Sequence, residues 1–563
     1  MTNDCIGYTV KCMRKAVFVI IFLTVITVSA AYATGNKEEL LFSGAPSATS
    51  PGELPVTTKP VTLSVFIPSV GFIKDLNTNA DALWIEEQTG VHADWIESRK
   101  TDAINKLSVM LNSGKYPDII FGSGGVGLSN EDIFKYGLQG TFLPLNKLID
   151  EYGYYIKVLF DEQPQIKGMI TYPDGNIYAL PAVLTDDYHM TMRQKFWINA
   201  QWLKNLGLDM PKTTDEFYAA MKMFKEKDAN LNGDPNDEVP MSGAKRYCEN
   251  TVLFLMNAFI PAGGQDDSGD MSLSCYEFII NGELVFTADK DQFKNGLRYI
   301  HKMYSEGLID LSALTQERIQ AYPLVDGEYA RLGGMASHHP ANFATFNEIS
   351  GSNFRQYEVM PPLKGPEGQQ NTPWCIDAVI RPGELVITDS CEYPEIAMRW
   401  ADHFYRLETS LHDKGIEGIH WERVGESDGL TGINGKPAKY NYLEPLSYED
   451  NAQINAGPGW TRDLKNEFAK KPGFSYEEFL NNATLLYEPY KVRRYPYATV
   501  SIPVQFQMEF LELRRAIHAF VSESTNRFVI GELDIDRDWD DYINQLEQIG
   551  LERFLEILNA GLK

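Results

Sequence analysis

Cysteine is scarce in this chain and never occurs as C-x-x-C. Of six cysteines, only Cys248, Cys275, Cys375 and Cys391 lie beyond the first 33 residues. Their spacing suits neither a zinc site nor a dithiol redox motif. In an oxidising compartment the four allow three connectivities, and free structural thiols remain equally open. Positive charge is also in short supply, with 51 Lys and Arg against 77 Asp and Glu and a net charge of −26. An acidic surface repels phosphate backbones and anionic bilayers, so nucleic acid and membrane surfaces are excluded as partners. Long apolar runs are lacking: residues 16–28 form the main one, short of the ~20 residues a spanning helix needs. There is no G-x-S-x-G elbow, no H-E-x-x-H zinc helix and no repeat of solenoid period.

What is present begins with an export signal. Lys11, Arg14 and Lys15 precede the apolar run, and Ala31-Tyr32-Ala33 follows as a small-x-small cleavage site. That order predicts a secretory signal peptide over residues 1–33, with Met13 as an alternative start. No Cys adjoins the cleavage site, so the expectation is a periplasmic or otherwise extracytoplasmic protein that is not a lipoprotein. Residues 34–60, rich in Gly, Ser, Pro and Thr, read as a flexible leader. At 563 residues, with 44% hydrophobic and 12% aromatic content, the chain is globular and too long for one core.

Order starts at 61–67, whose alternating apolar residues predict a strand. A helix over 80–89, a strand over 91–96, a helix over 102–111 and a short strand at 117–121 follow. Strands and helices alternating at this rhythm imply a parallel α/β sheet. Thr213 and Glu216 open another helix as a capping pair. Further helices are predicted at 291–306, 394–407, 507–523 and 539–558, with long loops and short helices over 425–490.

The stretch from Asp228 to Pro240 carries the clearest chemistry. Asp228, Asn230 and Asn232 offer oxygens at every second residue, and Gly233 permits the bend that gathers them. Calcium takes six to eight oxygens at about 2.3–2.6 Å, which suits such a loop. The bidentate Glu of an EF-hand is missing, however: position twelve is Val239, and the acidic pair Asp237-Glu238 comes just before it. This is a calcium loop of another kind.

Other motifs are weaker. Residues 122–127 fit G-x-G-x-x-G, but two strands precede them and no acidic residue ends a following strand, so a dinucleotide site is rejected in favour of a glycine-rich turn. Glu417 and Glu422 flank Trp421 and give a secreted carbohydrate hydrolase as the alternative reading. His338-His339, read as a strand pair pointing opposite ways, suggests cleft lining or packing. Trp197, Trp202, Trp374, Trp421 and Trp460 fall near predicted loops or element ends, where flat rings can cover the apolar faces of sugars.

Several segments together resemble the family 1 extracellular solute-binding proteins, the sugar receptors of ABC importers. They are Pro117-Asp118-Ile119-Ile120, Gly175-Asn176-Ile177-Tyr178-Ala179-Leu180-Pro181, Trp202-Leu203-Lys204-Asn205-Leu206-Gly207-Leu208, Gly415-Ile416-Glu417-Gly418, and the tail around Gly531, Trp539 and Tyr542. The likeness is strongest to the larger alginate and oligosaccharide-binding members. It implies two α/β lobes of the periplasmic-binding-protein type, joined by a multi-strand hinge. Lobe 1 would comprise 61–182 plus 330–380, and lobe 2 would comprise 183–329 plus 381–563. It further implies a non-enzymatic, monomeric receptor that closes on a carbohydrate, or on a peptide or other solute, and delivers it to the transmembrane permease subunits. Ser123, His338, Trp374, Trp421 and Trp460 would wall the cleft. A structural calcium would be held by Asp228, Asn230, Asn232, Asp237 and Glu238 through side chains and by the Asp234 carbonyl. One departure concerns the ligand: where members often carry Arg-x-Asp before Trp-Leu, this chain has Asn199-Ala200-Gln201, which weakens the case for a uronic acid.

Overall fold

The computed structural model describes residues 48–69, 73–122, 128–185, 189, 192–245, 247–263, 276–347, 349–374, 379–444, 451–454, 457–495, 502 and 504–562. The expected signal peptide, most of the leader, Ser123, Cys275 and Cys375 lie outside these residues.

The first lobe is built on a six-stranded sheet. Val61–Ser69 pairs in parallel with Val91–Arg99 on one side and with Ile119–Phe121 on the other. Val379–Ile387 runs antiparallel to Ile119–Phe121 and to Leu180–Leu184, and Gly459–Trp460 closes the far edge beside Leu180–Leu184. Successive strand residues point to opposite faces. Val65 and Ile67 enter one core with Ile119, Phe121, Leu385 and Ile387, whereas Phe66 enters another with Ile120 and Val386. Both faces are therefore buried under helices, as near-continuous apolar strands require.

The helix Ala80–Thr89 starts where the Asn79 side chain accepts the Ala82 N–H and stops at Gly90 in the left-handed region. Thr214–Glu226 has the expected capping box between Thr213 and Glu216. The C-terminal helix expected over 539–558 is instead two, Trp539–Ile549 and Leu551–Gly561, broken at Gly550 with φ 111°.

The second lobe centres on Lys195–Asn199, which lies antiparallel between Gly334–Ser337 and Tyr357–Met360. Phe196 and Ile198 face one core and Trp197 the other.

These pairings correct the expected lobe boundaries. Residues 334–337 and 357–360, assigned above to lobe 1, complete the second sheet around Lys195–Asn199. Conversely Ile396, Trp400 and Tyr405, assigned to lobe 2, are buried in the first-lobe core with Val65 and Phe121. The chain leaves the first lobe after Leu184 and returns at Val379, not near Gly333. It crosses again between Phe468, packed with Trp421 and Tyr440, and Leu480, packed with Trp197. The first lobe's edge is tied by backbone and side chain: Thr461 N–H donates to Val183 O at 3.0 Å, and Tyr405 Oη to Pro181 O at 2.6 Å. Cys391 is a buried free thiol, which sets aside a two-disulfide pairing of the four cysteines.

Candidate functional site

The calcium-type loop follows directly on the helix Thr214–Glu226. Leu231 and Gly233 take positive φ, 59° and 93°, and curl the backbone inward. Asp228 accepts the N–H groups of Asn232 and Gly233 at 3.0 and 2.9 Å. The amides of Asn230 and Asn232 both reach the Asp237 carboxylate, at 3.3 and 2.9 Å. Asp234 joins the cluster through its N–H, which donates to Asn232 Oδ1 at 2.8 Å, while its own Oδ1 accepts the Asn236 N–H at 3.1 Å.

Glu238 accepts the Ala229 N–H through Oε1 at 2.8 Å, while its Oε2 is buried without a partner. Burial is the main cause that holds this carboxyl above the usual carboxylate range. Among the described residues no group of three His, Cys, Asp or Glu is placed as a metal site on its own. The side-chain oxygens of Asn230 and Asn232 accept the N–H groups of Asn232 and Asp234 at 2.9 and 2.8 Å. The donor chemistry, all oxygen with an orphaned buried carboxylate atom, fits a hard cation.

A second polar centre sits where the strand Gly334–Ser337 ends, on the side of the crossing segments. His338 and His339 lie beyond the strand, so their rings do not alternate but meet at 4.7 Å. His338 stacks on His189 at 5.1 Å and 11°. Beneath them Asn342 donates to Glu249 Oε1 at 3.0 Å and to Ser337 Oγ at 3.1 Å, while Arg318 donates to Asn342 Oδ1 at 2.8 Å. This locks the turn after the strand. Lys195 is fully buried with its ammonium on the His189 carbonyl at 3.3 Å, and burial lowers its pKa to about 7. Burial likewise lowers His338 well below the ordinary histidine value, helped by His339, His189 and nearby Lys195 and Arg193. His339 is pushed down to about 4 by burial first and then by Arg318, Lys195 and Lys465. Both imidazoles are therefore neutral at physiological pH, and His338 Nε2 and His339 Nδ1 are buried without a hydrogen-bond partner.

The structure disperses the other expected wall residues. Trp421 is 3% exposed, donates to Gly415 O at 2.8 Å and packs edge-on to Tyr440. Trp460 is also 3% exposed, with Nε1 on Thr185 Oγ1 at 3.2 Å and the Arg462 guanidinium 4.2 Å from its ring. Both rings are core and hinge packing, because burying a flat apolar ring outweighs leaving it at a surface. Trp374 contributes backbone to a strand pairing with Lys491–Arg493, and its side chain lies outside the described residues. Trp197 and Trp202 are fully buried. Glu417 is exposed and engaged by Arg423 at 3.1 Å, and Glu422 accepts from Asn441 at 3.1 Å. Sequence reasoning missed His189 and Tyr476. No periodicity marks residues that meet only through tertiary contact.

With this geometry in place, comparisons assign the chain's relatives. Residues 73–407 match the bacterial extracellular solute-binding protein family. The chain is 28% identical over 511 residues to the fructooligosaccharide ABC transporter substrate-binding protein FusA of Streptococcus pneumoniae, covering 86% of each chain. A structure of that S. pneumoniae protein with kestose superposes with TM-score 0.70 at 26% identity, covering 88% of this chain and 98% of the other. Another structure of it is of an EF-hand mutant in complex with fructo-nystose. The alginate-binding protein AlgQ2, in a structure without calcium ion, shares the fold with TM-score 0.66 at 23% identity, over 90% of this chain and 98% of the other.

Proposed function

The chain belongs to the bacterial extracellular solute-binding protein family, and we propose that it captures an oligosaccharide outside the cytoplasm and passes it to the membrane subunits of an ABC importer. The observation that carries the carbohydrate reading is the likeness to FusA over 86% of both chains. The two-lobe architecture supplies the mechanism. A ligand touching both lobes favours the closed state by its differential affinity, and the segments that cross between the lobes, after Leu184, before Val379 and between Phe468 and Leu480, absorb the motion. No bond is made or broken in this reading, the protein acts as a monomer, and residues 1–33 direct its export.

A structural calcium ion belongs to the same reading. Asp228, Asn230, Asn232, Asp237 and Glu238 would hold it through side-chain oxygens and Asp234 through its carbonyl. The support is the unpartnered Glu238 Oε2, in a loop whose Asp228, Asn230, Asn232 and Asp237 are joined by hydrogen bonds. The ion would stiffen the loop after the helix Thr214–Glu226 and take no part in ligand chemistry.

The test is a panel of kestose, nystose, sucrose, maltotriose and a tri-galacturonate, followed by thermal shift, calorimetry and product chromatography. Binding of a neutral oligosaccharide with every sugar recovered intact is expected. Release of smaller sugars would instead identify a hydrolase, and a shift with none of the panel would remove carbohydrate as the ligand class.

A further inference from the structure

Asparagine precedes glycine at four places in this chain, at Asn232, Asn281, Asn295 and Asn434. Such a step can cyclise, because the glycine nitrogen meets no neighbouring side chain on its way to the asparagine amide carbon. The nitrogen attacks only after releasing its proton, so an N–H held in a hydrogen bond is withheld from reaction.

The fold withholds three of the four. Gly233 N–H donates to Asp228 Oδ2 at 2.9 Å, while the Asn232 amide donates to Asp237 and accepts the Asp234 N–H. Gly296 is buried within the helix Asp291–Ser305, whose ladder takes its N–H, and Asn295 Oδ1 accepts from Arg298 at 2.6 Å. Gly435 N–H donates to Gly432 O at 3.0 Å, and Asn434 Oδ1 accepts the Lys436 N–H at 3.0 Å.

Asn281 and Gly282 differ. They form the two-residue loop between the strands Glu277–Ile280 and Glu283–Phe286, with Ile280 opposite Glu283. Their φ values of 53° and 86° are those of a type I′ turn. Both residues are exposed, and among the described residues neither the Asn281 amide nor the Gly282 N–H enters a hydrogen bond. The two strands form a sheet of their own, anchored near the base by the Phe278 bridge to Arg494 and by Tyr495 N–H on Glu277 O. A two-stranded ribbon is marginal by itself, so its tip opens at little cost.

We propose that Asn281 is a site of self-modification, deamidating through a cyclic imide, and that the change loosens this hairpin. The Gly282 nitrogen bonds to the side-chain carbonyl carbon of Asn281. The bond from that carbon to the amide nitrogen breaks, and ammonia leaves with the proton that Gly282 gave up. Water then opens the imide at either carbonyl, giving aspartate or isoaspartate. Isoaspartate adds a backbone carbon to a two-residue loop, and loop length fixes the register of a hairpin. Either product sets a carboxylate beside exposed Glu283. Below the tip, Phe278 and Phe286 are buried and Glu277 meets His518 Nε2 at 2.8 Å, so a slipped register reaches the second-lobe core.

The experiment holds the intact mature protein warm at mildly alkaline pH. Fragments are then read by electron-transfer mass spectrometry, which separates aspartate from isoaspartate. Conversion at Asn281 should run about tenfold faster than at the other three steps, the order of factor one hydrogen bond imposes. In urea all four should convert alike, since each then has only its glycine neighbour. Asn281→Gly keeps the turn and has no amide to lose, so its melting temperature should hold through an incubation that lowers that of the wild type. Conversion elsewhere as fast as at Asn281, or the same order of rates in urea as in the folded protein, would overturn the site. An unchanged melting temperature in wild-type protein converted at Asn281 would overturn its effect on the hairpin.

Discussion

Glu238 reaches back nine residues to accept the Ala229 N–H at 2.8 Å, and in doing so ties the end of the oxygen-rich loop to its start. The bond uses Oε1 alone and leaves Oε2 buried and unpaired.

Calcium should therefore raise the melting temperature, and chelation should lower it. At a concentration a hundredfold above the dissociation constant the gain is about 2.7 kcal/mol. Asp228→Asn with Asp237→Asn should abolish the calcium response in differential scanning calorimetry. If chelation removed sugar binding without changing the melting temperature, the ion would be acting in the cleft and its structural role would be wrong.

Acid should destabilise the fold through its buried histidines. His403 is held down to about 3 by burial, beside Trp84 and Phe404, and His339 to about 4. Free histidine titrates near 6.5, so on acidification the unfolded chain takes up protons that the folded chain refuses. These groups cost no stability above about pH 6.5, and the loss grows as pH falls towards the folded values. Urea midpoints taken from pH 7.5 to 4.5 should decline, and His403→Phe should flatten the decline. A steeper slope in the variant would reverse the assignment.

Gly457 should not tolerate a side chain. It has φ 100°, and a Cβ there would lie 2.0 Å from Phe121 Cζ beside the hinge. Gly457→Ala is expected to cost about 2–4 kcal/mol from strain and overpacking together. Gly175→Ala, with φ 84° and open space around it, should cost only about 1–2 kcal/mol. Chemical denaturation of the two variants decides the point; equal losses would mean that the Phe121 contact relaxes freely.

Neither carboxylate of the hydrolase alternative should matter to the ligand. Glu417 sits in an exposed pair with Arg423, a class of contact worth at most about 1 kcal/mol. Glu417→Gln and Glu422→Gln should bind kestose as the wild type does and leave it uncleaved. Loss of a measurable turnover in either variant would revive the enzyme.

Local pattern was readable where its cause is local. Alternation through Val65, Phe66 and Ile67 announces a strand because adjacent side chains leave opposite faces. Thr213 and Glu216 announce a helix start because a cap is made within one turn. The bend after Asp228 could be read at Gly233 because it is made locally, with the Asp228 carboxylate taking the N–H groups of Asn232 and Gly233. Resemblance supplied the two-lobe architecture, which strand order in the sheets bears out.

Partnership was another matter. Nothing local to Gly334–Ser337 says that it pairs with Lys195–Asn199, so its lobe was misassigned. Trp421 and Trp460 looked like cleft walls because a tryptophan's sequence neighbours do not reveal what covers its ring. His189 and Tyr476 were invisible for the converse reason: their chemistry exists only against His338 and His339, well over a hundred residues away. The amino-acid order by itself determined periods, caps and turns, which act over a few residues. Only the tertiary structure decided which surfaces meet, because burial is settled by whatever distant segment excludes water from a side chain.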